Sequence, residues 1–289
     1  MRLDEDVKNW LSQASELLAQ KEFTQAEQLI IRALGIKPDH FDALLLFGIL
    51  YVSTNRGQLA TKRCNQMIRE YPDSPGPYRA LSMIIRVTGH IELGIRHFNS
   101  IMEQATEKGR TYISLCLAEL YCALGRYVEA KQYLAHGSQS DEFLTIAMLF
   151  QEVGDASGIA QLIPRVENNG IRLTLEAMAA QTRGDYAKAA QDFYLASEEE
   201  DPPWIAHNAL AGMWLDNGDL ESAKYYLDEA LELAPNMSEV IVNRARYLRA
   251  CQKKDDAYTL FQQVAEGAGN FAKIRGLAQH HMKQMSLGK

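Results

Sequence analysis

The chain has no run of about 20 apolar residues, the length a helix needs to cross a bilayer, although 47% of its 289 residues are hydrophobic. No membrane insertion is therefore expected. Only four cysteines occur, Cys64, Cys116, Cys122 and Cys251, none in a C-x-x-C pair and none in a Cys/His cluster with zinc spacing. No metal site is expected, and free thiols fit a reducing compartment. The sequence also lacks the phosphate loop G-x-x-x-x-G-K-[ST], the dinucleotide loop G-x-G-x-x-G, the nucleophile elbow G-x-S-x-G and the zinc-protease H-E-x-x-H. His280-His281 is no metal pair, because adjacent helical residues point in different directions. No catalytic residue and no cofactor is predicted. The N-terminal MRLDEDVKNW is acidic and carries no apolar run, unlike a secretory leader, so a cytoplasmic location is expected.

Net charge is −7, distributed unevenly. Residues 240–289 hold nine Lys/Arg against three Asp/Glu, a net +6, which leaves −13 on the rest. Such polarity bears on partners rather than on fold. An acidic body without a nucleic-acid motif argues against nucleic-acid binding.

What is present is a repeat. Ala14, Gly48, Ser82, Ala118, Ala147, Ala177, Ala211 and Ala245 follow one another at steps of 29–36, most often 34, and all are small. Twelve residues after each lies Ala26, Ala60, Gly94, Ala130, Ile159, Ala189, Ala223 or Ala257. Four further on the position is always apolar, from Ile30 to Phe261. Turn signals separate the two small sets: Gly89, Gly125, Gly154-Asp155, Gly184-Asp185 and Gly218-Asp219. Pro38, Pro72 and Pro235 close individual units, because proline cannot continue a helix. Ser74-Pro75, Asp201-Pro202 and Ser238-Glu239 read as cap plus first turn. Each unit is thus two amphipathic helices joined by a tight turn, with small residues where backbones approach.

This pattern resembles the tetratricopeptide repeat, W-x2-L-G-x2-Y, then A-x3-F, then P, over about 34 residues. The second unit carries Leu44, Phe47, Gly48, Tyr51, Ala60, Cys64 and Pro72. The first carries Trp10, Ala14, Ala26, Ala33 and Pro38, and the seventh Leu210, Ala211, Trp214, Ala223, Ala230 and Pro235. Eight units start near residues 7, 41, 75, 111, 140, 170, 204 and 238, and residues 271–285 read as a closing helix. The resemblance implies an all-α, right-handed superhelical solenoid of antiparallel helix pairs. The fifth unit departs from the pattern, with Ile159 at a small position and Pro164 within a helix, and residues 137–170 read as a hinge between two subdomains.

The resemblance also implies a function. In such folds the first helix of each unit lines a concave groove that binds a segment of another protein. That face would carry Leu45, Ile49, Arg79, Met83, Arg86, Leu115, Glu119, Leu144, Met148 and Met178. The stretch FDALLLFGILYV (residues 41–52), with a single charge, then supplies both core and groove. An apolar, methionine-rich lining suits an amphipathic helix or an extended apolar segment. At the basic end, Asn208, Asn243, Arg246, Arg249 and Lys273 make an alternative site for an acidic peptide or a C-terminal carboxylate. Asn243 and Lys273 match positions of the family's carboxylate-binding set, whereas Gly212 and Leu277 stand where the family has Asn and Arg. A role as an assembly factor for a secretion or pilus system is a further alternative, and the apolar groove leaves room for self-association. Salt separates the two sites: apolar capture should persist at 1 M salt, where the Debye length is about 3 Å, whereas capture by the basic end should fade. A pull-down at low and high salt reads the difference.

Overall fold

The computed structural model describes residues 2–140, 142–267 and 270–287. Along them run seventeen α-helices and one short 3-10 turn, and no strand among the described residues. The chain divides into two compact units, Met1–Leu120 and Tyr121–Lys289. Unit 1 holds α1 (Arg2–Ala19), α2 (Phe23–Ile36), α3 (Phe41–Ser53), α4 (Gly57–Glu70), α5 (Pro75–Thr88), α6 (Ile91–Met102) and most of α7 (Glu107–Ala123). Unit 2 continues with α8 (Tyr127–Gly137), α9 (Phe143–Glu152), α10 (Ala156–Leu162), the 3-10 turn (Ile163–Arg165), α11 (Asn169–Arg183) and α12 (Tyr186–Ser197). It ends with α13 (Trp204–Asn217), α14 (Leu220–Leu233), α15 (Ser238–Ala250), α16 (Lys254–Glu266) and α17 (Ala272–Leu287).

Within each unit the first helix of a pair packs on its second helix and on the next first helix, as α3 does with α4 and α5, and α13 with α14 and α15. The small residues make this spacing possible. All sixteen positions of the two small sets are buried, Ile159 among them. The apolar set four residues on is buried too, with one exception, Ile163. There Pro164 lacks the N–H that a helix needs and ends α10 after seven residues, so Ile163 lies in the 3-10 turn. Residues 137–170 lie wholly within unit 2, where Arg165 donates to the carbonyls of Ser138, Gln139 and Ser140.

The turns inside the pairs share one device. Gly89, Gly125, Gly154, Gly184 and Gly218 have φ between +73° and +85°. The other three pairs place Lys21, Asn55 and Gln252 in the same left-handed conformation, at φ of 58–63°. In seven of the eight turns, all but that at Gly89, the following amide then reaches back five residues, as from Asp185 to the Ala180 carbonyl at 3.0 Å and from Lys253 to the Leu248 carbonyl at 2.9 Å. This closes the first helix in the Schellman manner. Where aspartate follows the glycine it caps the second helix: Asp155 accepts from the Gly158 amide, Asp185 from Lys188, and Asp219 from Glu221 and Ser222.

Two expected caps differ. The helix after Asp201-Pro202 starts only at Trp204, since Pro202 and Pro203 both lack an N–H and Pro203 takes the cap position. Ser238 is itself the first residue of α15, and its hydroxyl donates to Asn270 Oδ1 at 2.6 Å. Ser74 holds the cap position of α5 without a side-chain bond.

The left-handed turns carry a stability consequence. Gly184→Ala, whose added methyl meets nothing within 4 Å, should cost about 1 kcal/mol through backbone strain alone. Gln252→Gly should gain about 0.5 kcal/mol, after subtracting the greater freedom of glycine in the unfolded chain. Urea titration followed by circular dichroism reads both, and an unchanged midpoint for Gly184→Ala would refute the strain account.

Candidate partner-binding faces

The residues expected to line unit 1's groove divide by burial. On α3, Leu45 is half-buried and Ile49 is 37% exposed, while Leu44, Gly48 and Tyr51 on the opposite side are buried. On α5, Met83 is half-buried between Arg79 and Arg86 in the sequence. The Arg79 guanidinium lies 4.5 Å from the centre of the Phe41 ring. Arg86 approaches Glu119 at 4.0 Å, and Glu119 also accepts from the Ser82 hydroxyl at 2.8 Å. Leu115 and Glu119, expected on the groove surface, are buried, as is every residue from Ile113 to Ala123. From Ile113 on this first helix is covered all round, and its apolar and polar positions there alike belong to the core.

Unit 1 also carries a cleft that the sequence reading missed. It measures about 960 Å³ and lies between α4 and α6, floored by Leu81, Ile84 and Ile85. Leu59 and Leu93 wall it and are half or more exposed. The Asn65–His97 hydrogen bond, 2.8 Å, joins the same two helices. Exposed leucines on second helices are the sequence signal, but they look like single surface residues until the helices are placed.

In unit 2, Met148, Met178, Asn208, Asn243 and Arg246 gather around one cavity of about 370 Å³, although Met178 is buried. Leu144 is half-buried and lies outside its lining. The polar members satisfy one another. Asn243 Nδ2 donates to the Asn208 carbonyl and to its Oδ1, each at 2.9 Å. Arg246 donates to Asn243 Oδ1 at 2.9 Å and pairs with Asp216. Arg249 is outside the cavity lining and bonds to His281 Nδ1 at 2.9 Å. Lys273 reaches the Gln151 carbonyl at 3.1 Å. Of the five residues of the expected acidic-peptide site, Asn208, Asn243 and Arg246 thus line the cavity, and Arg249 and Lys273 are outside its lining. Ile274 and Leu277 of α17 complete the cavity wall. No group of three or more His, Cys, Asp or Glu that could hold a metal, and no helix long and apolar enough to cross a membrane, occurs among the described residues.

Helix pairs with this spacing, closure and small-residue contact match known sequences. Two family models described as tetratricopeptide repeat match residues 17–84 and 174–238. Residues 17–84 and 174–238 are tetratricopeptide repeats. Over 110 residues it is 34% identical to cellulose synthase operon protein C of Pseudomonas fluorescens (strain SBW25), covering 37% of this chain and 8% of that one. It is 32% identical over 109 residues to photosystem I assembly protein Ycf3 of Acaryochloris marina (strain MBIC 11017), covering 36% and 63%. The chain thus spans less than two thirds of either relative. A chain in the crystal structure of the APC/C hetero-tetramer Cut9–Hcn1 is similar over 91% of this chain and 54% of that one, with 16% identity and a TM-score of 0.51, which shows the fold alone. Tetratricopeptide repeats are protein-interaction scaffolds.

The repeats of unit 2 bury two histidines. His281 stacks on Phe261, with ring centres 4.8 Å apart, and its pKa is pushed down to about 4, first by burial and then by Arg249 and Arg246. Arg249 donates to Nδ1, so the ring proton sits on Nε2. Burial also lowers His207. Groups held neutral in the folded state contribute stability above the unfolded pKa, near 6.5, and that stability is lost as pH falls towards the folded value. Between pH 6.5 and about 4, His281 should lower stability by roughly 1.4 kcal/mol per pH unit. Urea midpoints at pH 7, 6 and 5 measure this, and His281→Gln should flatten the slope.

Proposed function

We propose that this protein is a non-catalytic adaptor that takes an apolar or amphipathic segment of another protein on the inner face of unit 1. The observation that carries the reading is that Ile49 is exposed and Leu45 and Met83 are only half-buried on α3 and α5, first helices that pack on one another. Such a surface suits an amphipathic helix or an extended apolar segment. An isolated exposed isoleucine is ordinary surface, but an apolar strip shared by two first helices is what a partner would cover. Similarity to a protein named for photosystem I assembly agrees with a role in bringing other proteins together. The basic end supports a peptide site less well, because Asn243, Arg246 and Arg249 already bond within the chain.

Affinity capture from source-cell lysate, read by mass spectrometry, tests the reading. Ile49→Glu should reduce recovery of the partner tenfold or more, because a charge would be buried against apolar surface. Its circular dichroism should match wild type, since Ile49 is exposed. Equal recovery by both proteins would remove the inner face of unit 1 as the site.

A further inference from the structure

Residues 270–277 sit against parts of unit 2 that are 121 to 152 positions away in sequence. Three helix ends meet there. The Lys273 amide, in the first turn of α17, donates to Glu152 Oε1 at 3.0 Å. The Lys273 ammonium donates to the Gln151 carbonyl, in the last turn of α9, at 3.1 Å. Arg275 donates to the carbonyl of Ala123, the last residue of α7, at 2.8 Å. Each pairing sets a charge on a helix end of opposite partial charge: a carboxylate at the start of α17, and cations at the ends of α9 and α7. Glu152 is buried and is held in turn by the Tyr127 hydroxyl at 3.0 Å. Beside these bonds Ile274 and Leu277 line the cavity of about 370 Å³.

The helix carrying this segment has two parts. From Ala278 on, Met282 and Met285 pack with Phe261 and Val264 as the cap of the last pair, and of the first part only Ile274 is among the residues packed on that cluster. Between the parts lies Gly276, exposed within the helix, where an added Cβ would meet nothing within 4 Å. Packing does not require glycine there. Its effect is on the backbone, which opens about fivefold more readily at this point than with alanine.

We infer that the inner face of unit 2 is a receptor surface for a helix start in which two basic residues alternate with two apolar ones, the pattern of Lys273, Ile274, Arg275 and Leu277. In the free protein the chain's own residues 270–277 occupy it. A partner with that chemistry docks by displacing this strap about Gly276, while the rest of α17 stays in place. The surface is separate from the inner face of unit 1 and does not rest on that reading.

Hydrogen exchange on the full-length chain reads the strap. Amides of 271–276 should exchange at least tenfold faster than those of 279–286. Glu152→Gln should speed the first group a further tenfold and leave the second unchanged, and Gly276→Ala should slow the first about fivefold. A fluorescein-labelled peptide of residues 268–279 supplies the binding probe. It should bind the full-length Lys273→Ala/Arg275→Ala protein at least tenfold more tightly than wild type, and the peptide with both basic residues changed to Ala should bind neither. Uniform exchange along α17 in all three exchange samples, or a wild-type peptide that binds both proteins alike or neither, would overturn the inference.

Discussion

A Cβ added to Gly48 would lie 2.4 Å from an Ile84 side-chain carbon, and one on Gly94 would lie 2.4 Å from Ile85. This closeness of helix to helix is the constraint on which the architecture depends. An amphipathic helix can bury its apolar stripe only against another element. A repeat built from short helices has little area to bury, so its backbones must come close. In unit 2 the same demand appears at Gly158, where an added Cβ would meet the Phe150 ring at 2.3 Å. Side chains of ordinary size at these points would push the helices apart and open every contact between a first helix and its neighbours. The full burial of the small positions follows from this demand.

The second constraint is the reversal of direction inside each pair. A left-handed residue ends the first helix and turns the chain at once, so two helices of 7–18 residues can lie side by side. Glycine takes that conformation without steric cost, and five of the pairs use it. Lys21, Asn55 and Gln252 take it as well, which shows that the closing hydrogen bonds and the packing of the two helices outweigh the strain of a Cβ there. Those three turns cannot be read from residue type, only from register. The fifth pair shows what happens when local chemistry opposes the pattern, since Pro164 shortens α10 and turns an expected core position into a half-buried one.

The binding faces were less legible than the fold. Counting along a helix identifies which residues share a face, but not whether that face meets solvent. Ile49 does, and Glu119, at the equivalent position of another first helix, does not. The basic end illustrates a second loss. Asn208, Asn243, Arg246, Arg249 and Lys273 look like one polar cluster in sequence, yet the first three bond to one another and to Asp216, while Arg249 and Lys273 turn to His281 and the end of α9. Charge counted along a chain does not show which charges are already answered. The cleft between α4 and α6 left still less trace, because its floor is core and its walls are two scattered leucines.

The sequence by itself determined the helical class, the pairing of helices, the register of small residues and most of the turns. All of these follow from interactions within about one repeat, where the spacing of 3.6 residues per turn and the φ preference of glycine act directly. Only the tertiary structure decided which face stays open. The contacts of Lys273 and Arg275 with Gln151, Glu152 and Ala123 join residues more than 120 positions apart. Small rotations between successive repeats add along the stack, and their sum decides whether a distant helix end arrives within hydrogen-bonding reach. No local pattern encodes that sum, so the repeat was readable from the letters and the strap across unit 2 was not.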